Sequence, residues 1–132
     1  MIFQDDSATW NDTPLWVNWI YDEQLQLLMI CPDMPPVAGI LWKKILKFVG
    51  AMEWLAFFEG HASVLQAHRM IYHEQSILRL THQLSPKHVW VIGEIHGDAL
   101  QTQVIQSAPP QEWLKSGIKK QLWINWLNIL KK

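Results

Sequence analysis

Apolar positions along the chain fall into two patterns, short continuous runs and longer stripes at helical spacing, and their order predicts a fold. Gln26 to Cys31 (QLLMIC) is a continuous apolar run closed by Pro32, as expected of a strand covered on both faces. Upstream, Leu15 to Tyr21 (LWVNWIY) is aromatic and β-branched and predicts a strand pairing with it across Asp22 and Glu23. Asp33 followed by Pro35 and Pro36 opens a helix, because a first-turn proline gives up an N–H that has no intrahelical partner. That helix runs from about Val37 to Val49. Val37, Leu41, Ile45 and Phe48 recur along it, Lys43, Lys44 and Lys47 lie in its C-terminal half, and Gly50 stops it.

Trp54 to Phe58 (WLAFF), closed by Gly60, predicts a second buried strand. His61 to Leu84 holds no Gly or Pro and carries Val64, Ala67, Ile71 and Leu78 near helical spacing, which predicts a helix that can break between Tyr72 and Glu74 and ends before Pro86. Val89 to Gly93 (VWVIG) predicts a third buried strand, and Val104 to Ser107 a short fourth ahead of Pro109 and Pro110. A C-terminal helix is expected from near Gln111, with Leu114, Ile118, Leu122, Trp123, Trp126, Leu127 and Leu130 as a broad apolar stripe. Strands alternating with helices give the α/β class, here a three-layer α/β/α single domain over residues 14–132 with a short, mainly parallel sheet. The polar start, residues 1–13, is expected to be a flexible N-terminal tail. Sheets of this class bind ligands outside the carboxyl ends of their strands, near Pro32–Asp33 and Gly93–His96.

Composition changes the picture. Hydrophobic residues make up 49% of the 132 and charged residues 17%, below the usual charged share of about 25%, so the signature of intrinsic disorder is missing. The single cysteine, Cys31, excludes an internal disulfide framework. With no basic stretch ahead of an apolar run at the start and no long uncharged apolar segment, the expected compartment is the cytoplasm, with no membrane partner. The formal net charge of −1 does not match the basic footprint of a nucleic-acid binder. Its distribution is uneven: residues 1–40 carry Asp5, Asp6, Asp12, Asp22, Glu23 and Asp33 and no base, whereas residues 113–132 carry five lysines and no acid. Nine tryptophans are several-fold more than usual. Trp42, Trp54, Trp90 and Trp123 sit in apolar segments and are expected in the core. The pattern does not divide Trp10, Trp16, Trp19, Trp113 and Trp126 between core and interface, where tryptophan is favoured because it buries much area at little entropic cost.

Candidate chemistry is sparse. Cys31-Pro32-Asp33-Met34-Pro35-Pro36 lacks the glycines and backbone donors of a phosphate cradle. Glu94, His96 and Asp98 alternate in the loop after the third strand, an arrangement more often a solvated turn than a base or metal set. The six histidines show no helical zinc spacing, and a cysteine at the end of a buried strand is more often a small hydrophobe than a nucleophile.

Three segments carry a resemblance. Ile77 to Gly93 (ILRLTHQLSPKHVWVIG) looks like the helix–Pro–strand–Gly unit of the uracil-DNA glycosylase superfamily, Pro36 to Ala51 resembles the first helix of that fold, and Ser107 to Leu127 resembles its ending, with Lys119 and Trp123 in a Lys-x-x-x-Trp pattern. In the active enzymes a His precedes the Pro of that ending and an acidic, Gly-rich loop follows the first strand. Here Ala108 precedes Pro109 and Pro-Asp-Met-Pro follows the strand, so the resemblance implies a member with no catalytic residue, no cofactor and no metal. The small non-catalytic branch it looks like is the psi-subunit family of bacterial DNA polymerase III. That implies a hetero-oligomeric bridge: the tail joins clamp-loader subunits and the folded domain binds a chi-like subunit, and through it single-stranded DNA-binding protein, without specific nucleic-acid contact of its own. Trp10, Leu15, Trp16 and Trp19 are the expected partner-binding residues. The alternatives are a divergent glycosylase acting on flipped bases and a stand-alone interaction or inhibitor protein.

Overall fold

A computed structural model describes residues 15–93, 103–115 and 117–131. The tail expected over residues 1–13 lies outside them. Strand β1 (Trp16–Asp22) returns through a tight turn into β2 (Leu27–Cys31), with Asn18 opposite Cys31 and Tyr21 opposite Leu28. A connection this short can only join antiparallel strands. Asp22 stabilises the turn by accepting the Leu25 N–H at 3.1 Å. Helix α1 (Pro36–Val49) follows, ended by Gly50 at φ +79°, whose N–H reaches the carbonyls of Leu46 and Lys47.

Helix α2 (Met52–Phe58) stands where the apolar run Trp54–Phe58 predicts a strand. A five-residue apolar run has no period to separate the two. The helix wins because it buries Trp54 and Leu55 while the rings of Trp54 and Phe58, four residues apart, stack with centroids 6.5 Å apart. The second correction is β3 (Gln66–Ile71), which occupies the first half of the expected 61–84 helix. Its half-exposed, polar sequence carries no strand signal of its own. Pairing with β1 along six residues, Trp16↔Ile71 to Tyr21↔Gln66, overrides local preference. The allowed break at Tyr72–Glu74 is the strand–helix boundary: α3 (Glu74–Leu84) starts there, with His73 Nδ1 accepting the Gln75 N–H at 3.2 Å. Strands β4 (His88–Ile92) and β5 (Gln103–Ser107) lie as expected. A 3-10 turn at Pro110–Glu112 precedes α4 (Ile118–Leu130), which begins at Ile118 after the N-cap Gly117 rather than near Gln111.

The sheet runs β3-β1-β2-β4-β5. It is mixed rather than mainly parallel: β1 is antiparallel to both its neighbours, and only β2/β4 and β4/β5 are parallel. The fold is therefore a mixed α/β domain with a five-stranded sheet and four described helices. Alternating side chains build two cores. Ile20, Leu27, Met29, Cys31, Trp90 and Ile92 face α1, α2 and α4. Val17, Tyr21, Leu28, Ile30, Val89 and Val91 face Ile77 of α3, and the Tyr21 hydroxyl donates to the Leu84 carbonyl at 3.3 Å.

The first core is dominated by tryptophan. Trp42, Trp54, Trp90, Trp113 and Trp126 are all fully buried. The Trp42 ring lies 5.3 Å from Trp113, 5.7 Å from Trp90 and 5.8 Å from Trp126, and Trp54 meets Trp126 edge-on at 5.1 Å, spacings at which aromatic pairs attract beyond their area burial. Three indoles donate hydrogen bonds: Trp54 to Asp22 at 2.8 Å, Trp90 to Ser107 at 2.8 Å and Trp113 to the Ala108 carbonyl at 2.9 Å. The indole N–H groups of Trp42 and Trp126 have no acceptor among the described residues.

Candidate functional site

The parallel pairing of β2 with β4 brings two carboxyl ends together, so that Pro32 and Gly93 come close. A Cβ on Gly93, which sits at φ +106°, would meet the Pro32 ring at 3.7 Å. A hollow of about 460 Å³ opens there between Leu15, Pro32, Ile92, Gly93, Pro109, Gln111 and Glu112. Glu94, His96 and Asp98, the polar residues expected beside it, lie outside the described residues.

The one carboxylate that β2 carries to this end, Asp33, is already engaged. It accepts from Arg69 at 3.0 Å and from the Asn18 amide at 2.9 Å. The Arg69 hydrogen bond, then that of Asn18, holds its carboxyl below the usual carboxylate range. Arg69 also lies over the Trp16 ring, 4.5 Å from its centroid, a cation–π contact. Cys31 is buried at the same strand end, and burial pushes its thiol up to about 12, so at neutral pH it is a protonated, inert side chain. Among the described residues no group of three or more His, Cys, Asp or Glu side chains could hold a metal ion, and no helix is long and apolar enough to cross a membrane.

Of the four expected partner-binding residues, Trp10 lies outside the described residues. Leu15 and Trp16 are brought together at the start of β1, 46% and 42% exposed. Ile71, which pairs with Trp16 in the β1/β3 register, is 48% exposed, and the Tyr72 N–H donates to the Leu15 carbonyl at 2.7 Å. Trp16 and Ile71 form a cross-strand apolar pair and Leu15 precedes them in the chain, which makes an exposed apolar corner where the chain enters the sheet. Trp19 turns to the opposite face, packs against the second core and lies 4.9 Å from the His68 ring. Trp113 and Trp126 are core residues.

The sequence pattern missed a second surface. Helix α1 is apolar at Val37, Ile40, Leu41, Trp42, Ile45, Leu46, Phe48 and Val49, more than one face can bury. The excess emerges on the outside between α1 and α4 as a groove of about 720 Å³ lined by Val37, Ile40, Phe48, Leu114 and Trp123, with Lys44, Lys119 and Lys120 at its edges. The width of the α1 stripe was the available signal. No family model, curated protein or solved structure matches this chain.

Proposed function

We propose that this chain is a non-catalytic bridging subunit of the psi type, joining clamp-loader subunits of a bacterial replicase to a chi-like subunit and so to single-stranded DNA-binding protein. The observation that carries the reading is the apolar corner of Leu15, Trp16 and Ile71. Large apolar side chains left exposed together, one braced by a guanidinium that limits its motion, suit a hot spot better than a solvated edge. In sequence the acidic, Trp10-bearing segment leads straight into Leu15 and Trp16, so one continuous stretch from Trp10 to Trp16 is available to a partner. The absence of a His ahead of Pro109 and the engagement of Asp33 by Arg69 weigh against the glycosylase alternative.

The test mixes the purified full chain with the clamp-loader complex and the chi-like subunit of the same organism and follows the mixture by size-exclusion chromatography. A stable ternary complex is expected, and Trp16→Ala should weaken the clamp-loader arm by about 30-fold, the ~2 kcal/mol of an interface anchor. Failure to associate with either protein refutes the reading, and release of uracil from DNA by the same preparation moves the chain to the enzyme class.

A further inference from the structure

Among the described residues nothing fills the groove between α1 and α4. Phe48 and Leu114 on its walls are 73% and 67% exposed, more open than any side chain of the Leu15–Trp16 corner. Phe48 and Trp123 meet edge-on across it, 5.5 Å between centroids. Lys44, Lys119 and Lys120 edge it, and none of the three has an ion-pair partner among the described residues. A groove of this kind fits a segment with apolar anchors and negative charge.

The chain itself carries such a segment, and the fold starts it in the right place. Residues 1–14 hold Ile2, Phe3 and Trp10 together with Asp5, Asp6 and Asp12, and no Lys or Arg. Leu15 lines the hollow beside Pro32 and Glu112. Pro32 lies four residues ahead of α1 and Glu112 two residues ahead of Leu114, so the segment sets out from the Val37–Leu114 end of the groove. Fourteen residues reach at most about 46 Å when extended, whereas the groove follows a helix about 21 Å long. Length therefore permits any course along it.

We infer that residues 2–12 of the free chain lie in the α1/α4 groove, with Trp10 toward Val37 and Leu114, Phe3 toward Phe48 and Trp123, and the three aspartates against Lys44, Lys119 and Lys120. Exposed ion pairs contribute little individually, so charge selects the segment and apolar burial holds it. The covalent link supplies an effective concentration in the millimolar range, so a contact too weak to form between separate molecules still forms. This inference stands whichever partner the chain joins.

Disulfide trapping in the full chain tests it, since Cys31 is buried and does not compete. Gln4→Cys is combined with Lys47→Cys at the far end of α1 in one variant and with Gln83→Cys, exposed on α3 across the sheet, in another. Under dilute oxidising conditions, with native far-UV circular dichroism verified, the 4–47 bridge should form within one chain at least ten times faster than the 4–83 bridge. Adding Asp5→Lys and Asp6→Lys should bring the faster rate down toward the slower. Equal rates for the two bridges, as expected if the groove awaits a segment of another protein, overturn the inference. So do bridges formed only between chains, the outcome for a second copy, or a rate indifferent to the charge reversal.

Discussion

Replacing Trp54 by Phe probes how the hairpin is tied to the helical layer. The indole, 1% exposed, donates to Asp22 at 2.8 Å, and Asp22 is itself only 6% exposed, with the Leu25 N–H as its other donor. Phenylalanine removes that donor from a buried carboxylate, a loss of about 1.5–3 kcal/mol for a hydrogen bond to a charged group. The smaller ring adds about 1 kcal/mol of lost apolar burial. The expected cost of about 2.5–4 kcal/mol is a large share of the 5–15 kcal/mol that holds an ordinary domain together. In an Asp22→Ala background the same replacement should cost only the packing part, because both partners are then gone. Trp42→Phe supplies the contrast: it removes an equally buried indole whose N–H has no acceptor among the described residues, and should be cheaper by about 1.5–3 kcal/mol. Urea unfolding at pH 7, followed by far-UV circular dichroism, gives all four free energies. Additivity of Trp54→Phe and Asp22→Ala to within about 0.5 kcal/mol would refute the reasoning, since uncoupled sites add.

Other expectations rest on single features. Because Arg69 and Asn18 lower the folded-state pKa of Asp33 below its unfolded value, the stabilisation is present above the ordinary carboxylate pKa and is lost as pH falls through the lowered one. The stability difference between the wild type and Asp33→Asn should be a few tenths of a kcal/mol at pH 7, given how exposed the pair is, and should vanish in acid; a difference that grows on acidification contradicts it. Cys31, with its thiol pushed up to about 12, should resist a thiol-specific reagent at pH 8 in the native protein and react promptly in urea, and fast native labelling would show the strand end to be open. Gly50→Ala, at φ +79° with nothing within 4 Å of the added Cβ, should cost about 1 kcal/mol by thermal unfolding through backbone strain alone, and an unchanged midpoint would mean that the helix end rearranges freely.

What the sequence revealed of this fold depended on how local each signal was. The hairpin, α1, β4 and β5 were legible because continuous apolar runs and the proline and glycine at helix ends mark them within a few residues. Helix α2 was not, since WLAFF is apolar on every side, and a helix packed against α1 and a covered strand ask the same of it. Strand β3 was hidden more deeply: Gln66, His68 and Arg69 advertise an exposed helix, and only the unfilled edge of β1 makes them a strand. The site divided likewise. Leu15 and Trp16 could be picked out as large apolar residues at the start of a strand, whereas Trp113 and Trp126 could not be assigned to the core until rings from α1, α2 and β4 met around them. The groove escaped because it is formed by two helices distant in sequence.

The unequal covering of the two sheet faces sets an order in which the molecule can come apart. Three helices and five interlocked indoles close one face, and they contribute buried side chains from nearly every segment of the chain. Among the described residues the other face is closed by α3 alone, which buries a single residue fully, Ile77, and is pinned at its end by the Tyr21–Leu84 hydrogen bond. Lifting α3 exposes Val17, Leu28, Ile30, Val89 and Val91 yet leaves the tryptophan side untouched, so among the described elements it is the cheapest excursion from the native state that still disturbs the core. Amides of α3 should then exchange with solvent through this partial opening, while those of α1 and α4 wait for the whole domain to unfold. Among the described residues, proteolysis of the native chain would begin at the joint between β3 and α3.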